Sequence, residues 1–352
     1  MKNITVNAYA KVNFALKILG KMPNGYHRIE SFMQSTGLCD TVSVAWKKTD
    51  GSCAAKDSPK TGEQSSAING QQEPRLSVSL DPGRSDLPSD SGNLAYRAAE
   101  AMHAEFHRNV CEKIDIKIEK RIPVAAGLAG GSADCAAVIA ALAGLWELAE
   151  ISYNKKDGGP DPRRSIVFSA DENTLDRLVS VAASLGSDIP FCLMNHFGAA
   201  AAIATGTGTE IKKTEGIECT LVMITPAVNV STKAVYGELK PSDYLNTGAE
   251  RTETGFSQGI SAAGICEAKD LSEKIRYMGN DLAAPALRLF PNISETLGVL
   301  SALSQKPLYV QLSGSGPTCF AIYGPGTKPD FSRLSEYADR CGAFLTVCDT
   351  RM

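Results

Sequence analysis

The chain has 352 residues, 43% hydrophobic and 21% charged, with a net charge of −3. That length accommodates two ordinary domains with a real core, and the charge balance leaves no basic field for nucleic acid. No apolar run approaches a membrane span, and the opening MKNITVNAYAKVNF lacks the apolar core of a signal peptide.

In chain order, residues 3–18 read as one or two strands and Asp40–Lys47 (DTVSVAWK) as another. Residues 49–75, rich in Ser, Gly, Gln and Lys, read as a polar excursion between strands. Residues 76–80 (LSVSL) resume the sheet, Asn93–Phe106 carries helical apolar spacing, and 113–122 (KIDIKIEKRI) alternates as a half-buried strand. A glycine-rich turn and a long Ala-rich helix, about Ala133–Leu148, follow. A second polar insertion is expected at 152–170, then a helix from about Asn173 to Leu185-Gly186-Ser187-Asp188. Strands are expected at 198–204, 219–225, 308–312, 318–323 and 343–347, helices at 282–304 and 330–341, and a loop over 241–263. Strands and helices intersperse without regular βαβ repetition, so the expected class is α+β in two domains, about 1–210 and 211–352.

Ten cysteines are scattered with no CxxC pair, and Cys192 and Cys319 sit in apolar runs. Reduced, buried thiols of a cytoplasmic protein are expected rather than a disulfide framework or a zinc site. His103 and His107 are four apart on the helix 93–106 and its end, a metal-binding spacing. With no third ligand nearby, a solvated helix face is expected instead.

Four segments carry candidate chemistry. Pro123–Asp134, PVAAGLAGGSAD, joins an alternating strand to the Ala-rich helix. Gly127, Gly130 and Gly131 let the backbone approach a ligand closely, and the helix start favours phosphate there. Ser132 and Asp134 fall in the first turn, placed either to cap the helix or to reach a phosphate-bound Mg²⁺. The plainer alternative is a glycine-rich turn with a capped helix. The string is neither GxxxxGK[ST] nor a Rossmann GxGxxG, which argues against both of those nucleotide folds. Lys11, in an alternating apolar strand, either points into a cleft or snorkels from an edge to water. Asp188, in LGSDIPF, is either a helix cap or a poised carboxylate. Ser313–Ala321, SGSGPTCFA, is either a tight hairpin or a second glycine-rich wall of a site.

Together these segments resemble the GHMP kinase superfamily. PVAAGLAGGSAD is similar to its phosphate-binding PxxxGLGGGSSDAA, and SGSGPTCFA to its C-terminal glycine-rich motif. Within the superfamily, AYAKVNFALKILGKMPNGYH resembles the AKxNLxLxVxGxRxDGYH opening of the kinases that act on 4-diphosphocytidyl-2-C-methyl-erythritol. LGSDIPF resembles their LGSDVPF, and Asn280-Asp281-Leu282 their NDL. Departures are Ala129 where the loop often has Gly, Ala133-Asp134-Cys135 for Ser-Asp-Ala, and Asn24 for the Asp before Gly-Tyr-His.

The resemblance implies a two-domain fold with the active site in the interdomain cleft, and transfer of phosphate from ATP to a tertiary alcohol. It implies Asp188 as the base with Lys11 beside it. The physics agrees, since a positioned carboxylate can take the hydroxyl proton and a neighbouring lysine keeps it ionised. Pro123, Ala126, Gly127, Leu128, Ala129, Gly130, Gly131 and Ser132 are the implied ATP-binding residues, with Ser132 toward Mg²⁺. Tyr26 would stack on the substrate's cytosine, His27 would hydrogen-bond it, and Asn13 would fix the substrate near Lys11. Tyr236 would close a sandwich over the base; the plainer reading of both tyrosines is ordinary partly buried side chains. The expected partner is a small molecule, with monomer and homodimer both open. The rivals are another superfamily member, such as homoserine or mevalonate kinase, and a non-catalytic relative that binds a ligand. NGYH and LGSDIPF argue against the first, and the intact Lys11–Asp188 pair against the second.

Overall fold

The computed structural model describes residues 1–49, 76–153, 166–244, 259–330 and 332–352. The excursion expected at 49–75 thus lies almost wholly outside the described residues, as do most of the second insertion and of the 241–263 loop. Two sheets carry the fold. The first has seven strands, with β10-β1-β2-β4-β3 in order and β7 and β8 branching from β2. Its strands are β1 (Lys2–Lys21), β2 (His27–Lys48), β3 (Leu76–Asp81), β4 (Glu112–Glu119), β7 (Ala201–Thr205), β8 (Glu210–Thr214) and the two-residue β10 (Gly279–Asn280). The second sheet, β11-β12-β9-β13, is antiparallel and built from β9 (Thr220–Thr225), β11 (Tyr309–Leu312), β12 (Cys319–Tyr323) and β13 (Phe344–Asp349). The ends of the second polar insertion form a small hairpin, β5 (Glu150–Tyr153) with β6 (Ile166–Ser169).

β1 is the axis of the molecule. Val6 and Ala8 enter a core beneath the helices, Ala10, Val12 and Phe14 a core between the two sheets, and Leu16 and Ile18 a third core in the C-terminal half. Being covered on both faces, it reads as an almost unbroken buried run, and its register against β2 slips at three bulges. The first core holds α1 (Leu94–Phe106), α2 (Gly130–Leu145), α3 (Glu172–Leu185) and α4 (Ile189–His196). Twelve of the sixteen α2 residues are buried, so this helix has no solvent face and is the central post of the domain. Its alanines allow close packing: a Cβ on Gly144 would stand 2.9 Å from both Ile151 and Phe168.

The third core packs the second sheet against α9 (Ala283–Leu289), α10 (Pro291–Ser301) and α11 (Ser332–Cys341). Pro291 splits the single helical stretch expected at 282–304 into two, since it cannot continue the helix before it. Short helices α5 (Thr232–Gly237), α6 (Pro241–Tyr244), α7 (Ala262–Glu267) and α8 (Leu271–Ile275) lie among the described residues between β9 and β10. The expected solvated face at His103 and His107 is corrected. Both rings bond the fully buried Glu112 through Nδ1, at 2.6 and 2.9 Å, and Trp46 Nε1 donates to the same carboxylate at 2.6 Å. A buried carboxylate at the start of β4 needs such partners, and the i, i+4 spacing supplies two. No helix among the described residues is long and apolar enough to cross a membrane. Among the described residues no disulfide joins two cysteines.

Candidate active site

All four sequence segments meet at one cavity of about 380 Å³. Lys11 and Asn13 enter it from β1, Ala126–Gly127 and Ala129–Ser132 from the loop and first turn of α2, Ser187 and Asp188 from the turn before α4, and Gly314–Gly316 from the β11–β12 turn. The strand, the helix start and the two turns are brought together because β1, in the first sheet, sends side chains into all three cores.

Lys11 is buried, so the snorkelling alternative fails. Its Nζ donates to Asn13 Oδ1 at 2.8 Å and stands 3.4 Å from Asp188 Oδ2. Asn13 is fixed in turn, its Nδ2 donating to Ser31 Oγ at 2.8 Å, and that hydroxyl to the carbonyl of Ala15 at 2.7 Å. A buried ammonium is tolerable because these partners replace its water. Asp188 occupies the N-cap position of α4 but makes no side-chain cap bond. Its carboxylate, 32% exposed, is left for the cavity and for Lys11.

The start of α2 is built for an anion. Its N-cap residue, Ala129, offers no side-chain bond to the free amides of the first turn, and those residues line the cavity. Asp134 does not answer them. It turns away to Lys120, 2.7 Å distant, which also holds Asp40. Burial pushes the Asp134 carboxyl up to about 7, against the downward pull of Lys120 and with the push of Asp40. Of the expected loop residues, Pro123 and Leu128 do not line the cavity; Leu128 is buried in the inter-sheet core and accepts the Lys11 amide at 3.1 Å. Gly130 is constrained from inside, since a Cβ there would meet Ile122 at 3.0 Å. Ala129 adopts φ 58°, the left-handed region. Glycine removes that steric cost of about 1–2 kcal/mol, partly offset by added freedom in the unfolded chain. Ala129→Gly is therefore expected to raise Tm by roughly 1–3 °C with KM for ATP unchanged; a Tm several degrees lower would refute the strain. A larger cavity of about 740 Å³ abuts this loop, bounded by the Asp81–Ser89 segment and the Lys117–Lys120 end of β4.

The aromatic group is looser. Tyr236 lines the cavity, and burial with the charge of Asp188 raises its hydroxyl pKa. The His27 ring lies 5.3 Å from that of Tyr236, and burial, then Lys21, lowers the imidazole pKa. Tyr26 is 67% exposed and does not line the cavity, so it is neither the partly buried tyrosine of the plainer reading nor yet a wall of the site. The sequence reading missed Thr207 and Gly208, from the turn between β7 and β8, and Thr232, one turn before Tyr236 on α5. The TGTGT string and the i, i+4 spacing were the available signals.

The model of the GHMP kinases N terminal domain matches residues 93–157, and that of the GHMP kinases C terminal domain residues 261–340. The chain is 31% identical to the 4-diphosphocytidyl-2-C-methyl-D-erythritol kinase of Brevibacillus brevis, over 91% of this chain and 87% of that one. It is 30% identical to the kinase of the same name from Bacillus pumilus, over 98% and 97% of the two chains. A crystal structure of a 4-(cytidine 5'-diphospho)-2C-methyl-D-erythritol kinase superposes with a TM-score of 0.64 at 25% identity, covering 99% of this chain and 100% of the other. Homoserine kinase from Cytophaga hutchinsonii shares the fold, with a TM-score of 0.58 at 14% identity, covering 99% and 95%.

Proposed function

The chain belongs to the 4-diphosphocytidyl-2-C-methyl-D-erythritol kinases of the GHMP kinase superfamily, and on that premise we propose how its cavity works. The enzyme is an ATP-dependent small-molecule kinase that phosphorylates the 2-hydroxyl of 4-(cytidine 5'-diphospho)-2-C-methyl-D-erythritol in the non-mevalonate route to isoprenoid precursors. Asp188 is the base that accepts the hydroxyl proton, and Lys11, 3.4 Å away, offsets charge on the transferring group. The observation that carries this assignment is the Asp188 carboxylate, unused as a cap and 3.4 Å from a buried lysine, in the same cavity as the uncapped helix start. The first-turn amides of α2 and the Gly127 region hold the phosphates, and the neighbouring 740 Å³ cavity takes the nucleoside. Domains of about 1–210 and 211–352 are supported by the second sheet, drawn wholly from the later segment, while β8 and β10 join that segment to the first sheet.

Magnesium fits this donor set as an ion carried in on ATP. Among the described residues no cluster of three or more His, Cys, Asp or Glu could hold a metal, while Ser132 lines the cavity beside the phosphate-facing amides. Bound there, Mg²⁺ would neutralise charge developing on the transferring phosphate. Ser132 is the residue we assign to it.

For the base, Tyr26 stacks on the cytosine, His27 reads its edge, and Tyr236 faces it from the cavity wall, with Asn13 fixing the acceptor beside Lys11. The His27–Tyr236 contact supports one joined aromatic site. Because Tyr26 is 67% exposed, its removal takes little from the core. Tyr26→Ala is expected to raise KM for the cytidine substrate about 10- to 100-fold, the loss of one base–aromatic stack, with little change for ATP. A weakened ATP site with an unchanged cytidine KM would overturn the assignment. A coupled ADP-release assay tests the function itself: turnover is expected with the cytidine diphosphate substrate and not with homoserine or mevalonate. The reverse preference would refute it.

A further inference from the structure

The Asn280-Asp281-Leu282 segment has no part in the mechanism above, yet it lies where the two halves of the site are joined. β10 pairs in parallel with β1 at Ala15 and Leu16, so a two-residue strand from the C-terminal half completes the edge of the first sheet. Asn280 is 2% exposed. Its Nδ2 donates to the carbonyls of Leu312 and Gly314, at 2.9 and 2.7 Å, and its Oδ1 accepts the Leu282 amide at 2.9 Å. Both donor hydrogens of the amide are thus used on the β11–β12 turn. Asp281 anchors the segment from behind, its Oδ2 accepting the Ile18 amide at 2.8 Å and its own amide donating to Leu16 at 3.0 Å.

Gly314 is the point of contact with the chemistry. It lies in the left-handed region at φ 56°, and a Cβ built on it would stand 3.5 Å from Asn13 Oδ1 and 3.9 Å from Lys11 Nζ. Gly314 therefore backs the Lys11–Asn13 pair, and Asn280 fixes its carbonyl. The turn is also tied to the phosphate loop, through Ser313 Oγ to the Gly127 carbonyl at 3.1 Å and the Thr318 amide to Ala126 at 3.2 Å.

We infer that Asn280 is a positioning residue for phosphoryl transfer, holding the Gly314 turn against the Lys11–Asn13 pair so that the ammonium stays aimed at Asp188. The inference rests on the kinase reading above. A buried amide that served folding alone would cost stability when replaced; this one also sets the geometry of a group that acts in the transition state.

The test is Asn280→Asp, close in shape and without the two donors. As a carboxylate it faces two carbonyl oxygens and cannot bond either; protonated, it regains one donor. The charged groups bearing on the position are Asp281, already bound to Ile18, and Lys11 with Asp188 on the far side of Gly314. The variant should lose about 10- to 100-fold in kcat at pH 8, with KM for ATP within about threefold of the parent. The deficit relative to the parent should shrink as pH falls toward 6, while circular dichroism and Tm show a folded enzyme throughout. Asn280→Ala should show the loss without the recovery. Parental kcat in folded Asn280→Asp, or a deficit independent of pH, would overturn the inference. An unmodified enzyme inactive on the cytidine substrate would instead refute the kinase reading.

Discussion

Asp188→Asn is expected to lower kcat by about 10²–10⁴-fold while ATP affinity stays within about threefold of the parent. The substitution keeps the shape of the side chain and removes the proton acceptor. It should not unfold α4, because the carboxylate makes no cap bond to that helix. It leaves Lys11 buried without its carboxylate, but still bonded to Asn13 at 2.8 Å. On the proposed reading the ATP phosphates meet the α2 amides, which this change does not touch. Turnover and nucleotide binding, measured separately on one preparation, make the split visible; near-parental kcat would remove Asp188 from the role of base. Lys11→Met supplies a second arm. If the pair acts as a unit, the double variant should be scarcely slower than Asp188→Asn alone, because effects of coupled residues do not add.

These two side chains also show where the sequence was legible and where it stopped. The alternating strand around Lys11 and the Gly-Ser turn before Asp188 each allowed a bland reading, snorkelling or capping. Local pattern cannot choose between these, because burial of Lys11 depends on segments distant in sequence that pack over β1. The family resemblance favoured a cleft lysine and a poised carboxylate; Lys11 is buried, and Asp188 lines the cavity without making a cap bond. Elements with a strong period, such as α1 and β4, fell where expected. The first half of β2 did not, because residues 31–36 are buried on both faces and show no alternation. β10 was invisible at two residues, although the NDL string, whose Asn280 ends it, stood out. The i, i+4 histidines were read as solvated because their partner, Glu112, belongs to the next strand. Thr207 and Gly208 reach the site through a turn whose place is set by sheet register alone.

The other large effect is expected at Gly127, where function and packing cannot be separated from sequence alone. Gly127 sits at φ 73°, and a Cβ there would lie 2.6 Å from the carbonyl oxygen of Ser313 and 2.7 Å from that of Gly316. Both are backbone atoms, so no side chain can swing aside. The same contact surface carries the bond from Ser313 Oγ to the Gly127 carbonyl. Gly127→Ala therefore has to push the two glycine-rich turns apart. The left-handed backbone adds about 1–2 kcal/mol and the overpacking roughly 1–3 kcal/mol, so a stability loss of about 2–5 kcal/mol is expected. Spreading the turns moves the α2 amides away from Lys11 and Asp188, and kcat/KM should fall by about 10²-fold or more where the variant is folded. Gly131 is the internal control. A Cβ there meets only Leu94, at 3.8 Å, which is ordinary contact. Gly131→Ala should keep the parental Tm, so any rise in its KM for ATP reports close approach of phosphate to the backbone rather than a damaged fold. Parental Tm and turnover in Gly127→Ala would show that the two turns are not packed as described, and the closed cavity they define would have to be abandoned.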